Sequence, residues 1–226
     1  MAAQLIVDGQ TPLLAWRQVV ETVCRNGESR GGLKELIHLT VVARNARPLS
    51  PSEIHEYRRL AGDEPWERVK HIYTRGLKVG WKPSYIGRLT EWREGQHVVD
   101  QLAQIVNKAI KTPGSKTLCA CVFHPRDLKR FIVASVPCLL SLDFKVRNGA
   151  VHVGAFFRSQ DVYRLFLGDY HYVSAIREEL TQSLNASRRA RKSGFRSGDL
   201  IFYLCSAHLR SSVSKMFLHS QLGAGG

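Results

Sequence analysis

Residues 136–157 read VPCLLSLDFKVRNGAVHVGAFF. Two apolar, β-branched runs flank Asn148-Gly149. That dipeptide suits the left-handed backbone of a two-residue hairpin turn. The stretch therefore predicts antiparallel strands over 136–147 and 150–157, with Cys138 near the start of the first. Upstream, residues 117–123 (TLCACVF) predict a strand. Residues 98–110 (VVDQLAQIVNKAI) predict a helix, with apolar residues at 98, 99, 102, 105, 106, 109 and 110, stopping before Pro113-Gly114.

Further outward, residues 12–26 carry apolar residues at helical spacing between Pro12 and Gly27. Residues 35–43 predict a strand, and SPSEIHEYRRL a short helix with a Ser-x-x-Glu/His N-cap pattern. A helix is expected over about 170–185, a buried strand over 199–205, and a frayed tail from about 220. Strands and helices alternate irregularly, which favours α+β over a doubly wound sheet. No repeat or linker divides the chain, so 1–226 is expected to be one domain.

The 226 residues hold 33 Lys and Arg against 19 Asp and Glu, a net charge of +14. At 44% hydrophobic, the chain can bury a core, which excludes wholesale disorder. The longest apolar runs fall short of the roughly 20 residues that span a bilayer. MAAQLIVDGQ has no basic segment followed by an apolar one, so a cytoplasmic protein with no membrane partner is expected. The charge says that anions matter. Nucleic acid, a nucleotide phosphate and a polyanionic cofactor all fit it.

Three constellations could carry chemistry. The basic run 188–196 could bind nucleic-acid phosphates or be a solvated loop, and few aromatics interleave with it. Cys119-x-Cys121, near His124, places two thiols on one strand face; with no second ligand pair it reads as core packing, and no metal is expected. Four of the five cysteines are expected to be ordinary buried, reduced thiols. The fifth, Cys138, is either core or a nucleophile. It sits in Pro137-Cys138-Leu139, followed by Arg158-Ser159-Gln160-Asp161, Gly168-Asp169-Tyr170 and Ser206-Ala207-His208. Arg158 and Asp161 could form a local ion pair.

Taken together, these motifs resemble the thymidylate synthase family. The similarity is continuous over roughly 85–212, including DQ in the 98–110 segment, and looser over 12–47. The resemblance implies an α+β fold whose large mixed sheet forms a homodimer interface. It implies 5,10-methylenetetrahydrofolate as one-carbon donor and a pyrimidine nucleoside monophosphate as substrate. Cys138 matches the nucleophile that adds to C6, which pushes electron density to the otherwise unreactive C5. Arg158 matches the arginine that holds phosphate and supplies positive charge near the thiolate; Ser159 matches a second phosphate donor. Asp161 matches the carboxylate facing the pterin, and His208 a contact to the sugar hydroxyl. Glu35 corresponds to the catalytic glutamate or is simply a strand end. Arg30, or else Arg25, corresponds to an N-terminal phosphate arginine.

The departures matter more. Where these synthases carry an Asn that reads uracil, this chain has Asp169. Aspartate accepts from the cytosine N4 amino group and can share a proton with N3, whereas its lone pairs oppose uracil O4. The family's deoxycytidylate hydroxymethylases carry Asp followed by Tyr there, as in Asp169-Tyr170. Outside this register, Asp169 reads as a turn residue after Gly168. The paired arginines that cross the dimer to phosphate are replaced by Lys116-Thr117, and Arg210 stands where a tyrosine is usual. The expected activity is C5 hydroxymethylation of CMP or dCMP. The alternatives are a divergent thymidylate or uridylate synthase, and a nucleic-acid-binding protein on a retired scaffold.

Overall fold

The computed structural model describes residues 3–7, 11–75, 84–130, 136–187 and 194–223. In chain order the elements are β1 (Ala3–Val7), α1 (Pro12–Asn26), β2 (Glu28–Arg30), β3 (Leu33–Ala43), α2 (Pro51–Ala61), α3 (Asp63–Thr74), α4 (Tyr85–Thr90), β4 (Trp92–Glu94), β5 (His97–Val99), α5 (Gln101–Lys111) and β6 (Cys119–Cys121). A 3-10 segment over Pro125–Arg130 follows, then β7 (Leu139–Arg147), β8 (Ala150–Phe157), β9 (Gln160–Asp161), α6 (Phe166–Ser187), β10 (Arg196–Arg210) and α7 (Ser211–Gly223).

The α+β architecture is as expected: one eight-stranded mixed sheet runs in the order β1-β3-β10-β8-β7-β6, with β2 beside β3 and β9 beside β10. The β7–β8 hairpin closes on Asn148 at φ 50° and Gly149 at φ 72°, both left-handed as the turn requires. β8 and β10 are parallel, so a crossover must join them, and α6 supplies it. The helix lays Phe166, Tyr170, Val173, Ile176, Leu180 and Leu184 into the core against Val153, Phe157 and Phe202. α1 joins the same side; Trp16 Nε1 donates to the Val162 carbonyl at 3.0 Å.

Local chemistry explains most boundaries. Thr11 caps α1 and Pro12 occupies its first turn. Ser50 and Glu53 form a complete capping box on α2, and Glu53 also takes both Arg47 guanidinium nitrogens. The helix expected over 98–110 begins later: Val98 and Val99 belong to the small β4–β5 hairpin, and Asp100 caps α5 at Ala103 N. Gln101 brackets the edge strand β6, donating to Cys121 O and accepting from Cys121 N. That side chain stands in for a missing strand, which explains the Asp-Gln pair physically. β6 itself covers only three of the expected residues. α7 continues as helix to Gly223, through the start of the tail expected to fray.

The cysteines differ from expectation. Cys24 is buried, but Cys119, Cys121 and Cys205 are exposed, so the Cys119-x-Cys121 pair is not core packing. These thiols lie on the sheet face that carries no helix. The same face exposes Phe156, whose ring stacks on Tyr203 at 4.4 Å. No helix among the described residues is long and apolar enough to cross a membrane. Residues 188–193 of the basic run lie outside the described residues.

The sheet also changes parity. On β10 the buried residues are Leu200, Phe202 and Leu204, then Ala207 and Leu209. On β3 they are Leu39, Val41 and Ala43, ending beside His38 at φ 57°. Both strands kink at the same level, Cys205 opposite His38, and swap the faces of the residues beyond.

Candidate active site

Cys138 lies just before β7, half-buried. Its backbone N–H donates to Tyr85 Oη at 3.0 Å, which ties the thiol's position to α4. α4 is anchored in turn by a buried ion pair, Arg88 to Asp127 at 3.0 Å, with both side chains 5% exposed. Arg88 also donates to the Val122 carbonyl at 2.6 Å.

Arg158, at the end of β8, clamps the segment that carries the thiol. Its Nε donates to Pro137 O at 2.9 Å, its Nη2 to Val136 O at 2.6 Å, and its backbone N–H to Cys138 O at 2.9 Å. Burial pushes the Cys138 thiol up; the Arg158 and Arg68 cations oppose this, while the Asp169 charge adds to it. Arg158 thus supplies the expected positive charge, but burial outweighs it before any substrate binds. No ion pair joins Arg158 to Asp161. Asp161 Oδ1 instead accepts from Arg164 N at 3.1 Å.

Asp169 is not a turn residue. Its N–H donates to Leu165 O at 3.0 Å, inside the first turn of α6, and it is 7% exposed. Gln160 Nε2 donates to its Oδ2 at 2.8 Å, and Gln160 is 2% exposed. Burial pushes the Asp169 carboxyl up to about 7, against the Gln160 hydrogen bond and the Tyr73 hydroxyl, which hold it lower. Tyr73 Oη is buried beside it without a hydrogen bond of good geometry. The Tyr73 ring stacks on Tyr172 at 4.4 Å and meets Tyr85 edge-on at 5.0 Å. The approach is possible because Gly168 has no side chain: a Cβ there would meet Val69 of α3 at 2.9 Å. Val69 lies one helical turn before Tyr73 on the same face.

A second group forms beyond the sheet kink. Glu35, His208 and Asp161 are register partners across β3, β10 and β9 and so share one face. Ser206 Oγ donates to Glu35 Oε1. In the next row outward, Leu33 pairs with both Arg30 and Arg210. Arg30 holds an exposed ion pair with Glu28 at 3.2 Å. β9 serves both groups, because its adjacent residues point to opposite faces: Gln160 to Asp169, and Asp161 to the His208 row. Ser159 stands half-buried where β8 passes into β9.

One expected residue is not brought in. Lys116 precedes β6, where its carbonyl accepts from Lys145 Nζ at 3.4 Å. Lys145 is six residues along β7 from Leu139, or about 20 Å of strand. Conversely, Tyr85, Tyr73, Gln160 and Arg68 were not anticipated. Gln160 lay in plain view within Arg158-Ser159-Gln160-Asp161, whereas nothing local to the sequence links Tyr85 to Cys138. Among the described residues, no group of three or more His, Cys, Asp or Glu could hold a metal ion.

The mixed sheet thus presents an arginine-clamped thiol within electrostatic reach of a buried carboxyl, an arrangement suited to nucleophilic chemistry. The chain belongs to the thymidylate synthase family, whose members transfer a one-carbon unit from methylenetetrahydrofolate to a pyrimidine. A family model described as thymidylate synthase matches residues 6–218. Archaeal proteins named "Putative thymidylate synthase" are similar to it. The one from Methanosarcina acetivorans is 31% identical over 160 residues, 65% of this chain and 66% of its own length. That from Methanosarcina barkeri is 30% identical over 215 residues, 90% and 88% respectively. That from Methanosarcina mazei is 28% identical over 208 residues, 86% and 84%.

Proposed function

We propose that this protein hydroxymethylates C5 of a cytidine nucleotide, CMP or dCMP, through a covalent bond between Cys138 and C6. The observation that carries this reading is Asp169: a buried carboxyl stands where uracil-reading members have an amide. A neutral carboxyl offers one donor and one acceptor, which suits the N3 acceptor and N4 donor of cytosine. The upward shift of Asp169 keeps that proton available near neutral pH.

Arg158 and Ser159 would hold the nucleotide phosphate, and His208 the sugar hydroxyl. Arg30 and Arg210 lie one row further out and add cationic charge at the phosphate end. Phosphate binding frees part of Arg158 from the 136–138 segment. The Cys138 thiolate then adds to C6, and C5 becomes nucleophilic. 5,10-Methylenetetrahydrofolate supplies the one-carbon unit at C5. Asp161 fits its pterin, since Oδ2 has no partner among the described residues while Oδ1 is taken by Arg164 N. Glu35 moves protons and positions water in this reading, which its contact with Ser206 and its register beside His208 support. Once the C5 proton is lost and tetrahydrofolate departs from the transferred carbon, water adds to the exocyclic methylene left on C5, Cys138 is expelled from C6 as the C5–C6 double bond re-forms, and the hydroxymethyl product leaves.

The protein acts as a cytoplasmic homodimer in this reading. The helix-free sheet face carries Ile6, Ile37 and Phe156 exposed, as an interface would. Lys116, remote from its own chain's Cys138, then serves the partner's phosphate. The test is incubation with methylenetetrahydrofolate and each of CMP, dCMP, UMP and dUMP, with product mass read out. A mass gain of hydroxymethyl on a cytidylate supports the reading. Conversion of dUMP to dTMP with no cytidylate reaction overturns it.

A further inference from the structure

A neutral carboxyl is ambiguous as a reader of pyrimidines. With its proton on one oxygen it complements cytosine, and with the proton on the other it complements uracil in the same pose. Asp169 alone therefore does not enforce a choice. Something must decide which oxygen holds the proton.

We infer that Gln160 is the residue that decides, and so is a specificity-determining positioning residue. Its Nε2–H donates to Asp169 Oδ2 at 2.8 Å from strand β9, and both side chains are buried. An oxygen that already accepts a strong amide donor is the poorer place for the proton, which settles on Oδ1. The carboxyl then presents a donor at Oδ1 and an acceptor at Oδ2, in fixed order. Cytosine N3 meets the donor and its N4 amino group meets the acceptor. Uracil in that pose puts N3–H against a donor and O4 against an acceptor, two mismatches instead of two bonds.

The surroundings leave this task to Gln160. The titratable groups facing Asp169 are Tyr57 of α2, Tyr73 of α3, Tyr85 of α4 and Cys138 before β7. Burial holds all four neutral. Tyr85 Oη is engaged with Cys138 N, and Tyr73 Oη completes no bond of good geometry. Among the described residues, Gln160 is thus the side chain that reaches this carboxyl with a short, well-aligned hydrogen bond. Its backbone is held in register with Ala207, which fixes the point from which the side chain reaches the carboxyl.

The inference rests on Asp169 reading the base, so the experiment separates the two. Dissociation constants for CMP, dCMP, UMP and dUMP are measured by calorimetry between pH 5.5 and 9 on the intact protein, on Gln160→Met and on Asp169→Asn. Gln160→Met keeps the volume and removes the donor. Cytidylate preference is expected to fall at least about tenfold, chiefly because uridylate binds more tightly. Because the Gln160 bond favours the ionised carboxylate, its loss also moves the pH at which cytidylate binding fades upward. Equal weakening of both nucleotides, with that pH unmoved, overturns the inference while leaving the base reading intact, provided Asp169→Asn changes the preference. If Asp169→Asn leaves the preference alone, both fall. Should Gln160→Met not fold, the unaltered protein decides by NMR. The Gln160 side-chain amide resonances should titrate in step with the Asp169 carboxyl carbon, and independent titration overturns the inference.

Discussion

The hydroxyl of Tyr85 accepts the backbone N–H of Cys138 at 3.0 Å. A residue of the short helix α4 thereby fixes where the Cys138 backbone, and with it the thiol, stands at the start of β7. Tyr85→Phe leaves that N–H unsatisfied in a half-buried place, at a cost of about 1–2 kcal/mol. Turnover should drop about tenfold while circular dichroism stays native. Unchanged turnover in the folded variant would show that the contact does not position the thiol.

The same helix depends on a buried charge pair. Asp127→Ala leaves the buried Arg88 with the Val122 carbonyl but without its counter-charge, and should destabilise the fold by about 3–5 kcal/mol. Urea unfolding measures this directly. A change below about 1 kcal/mol would mean that water reaches Arg88.

The thiol should be slow to alkylate in the free protein. Burial raises Cys138, so site-resolved iodoacetamide labelling should rise only above the ordinary thiol range of about 8.5. Arg158→Ala removes the opposing cation and should move the rise further up in pH. A downward move would contradict the assigned cause.

Asp169 makes a prediction about stability. Its folded pKa, about 7, lies above the ordinary carboxylate value, so the native state binds the extra proton between about pH 4 and 7. The stabilisation is present at low pH and is lost as pH rises through about 7. Asp169→Asn, which never ionises, should therefore be more stable than the parent at pH 8, by about 2–4 kcal/mol, and nearly equal at pH 4.5. Equal melting temperatures at pH 8 would rule out a strongly raised carboxyl.

Two inactive variants should repair each other if Lys116 works across a dimer. Cys138→Ala and Lys116→Glu, each assayed alone and then mixed through partial unfolding and refolding, should recover part of the activity in the hybrid. Lack of recovery, with hybrids confirmed by native mass spectrometry, would place Lys116 outside the site.

Much of this arrangement was legible in the sequence because it depends on local chemistry. Asn148-Gly149 specifies its own turn, Ser50 and Glu53 cap their own helix, and the order of Pro137-Cys138, Arg158 to Asp161 and Ser206 to His208 survives any detail of packing. What escaped were features decided between distant segments. Val98 and Val99 satisfy helical periodicity, yet hydrogen-bonding to Arg93 and Trp92 claims them for a hairpin. Cys119 and Cys121 look like core residues until the sheet is seen to leave their face without a helix. Tyr85 and Tyr73 are ordinary helix residues whose meaning lies 53 residues away, at Cys138, and 96 away, at Asp169.

Gly168 has one more consequence. Where α6 crosses α3, the contact leaves no room for a methyl group against Val69. The distance between Tyr73 and Asp169 is therefore gauged by an atom the protein lacks. A change of one base in the codon, glycine to alanine, would wedge the two helices apart and loosen the carboxyl's surroundings without altering the carboxyl or Gln160.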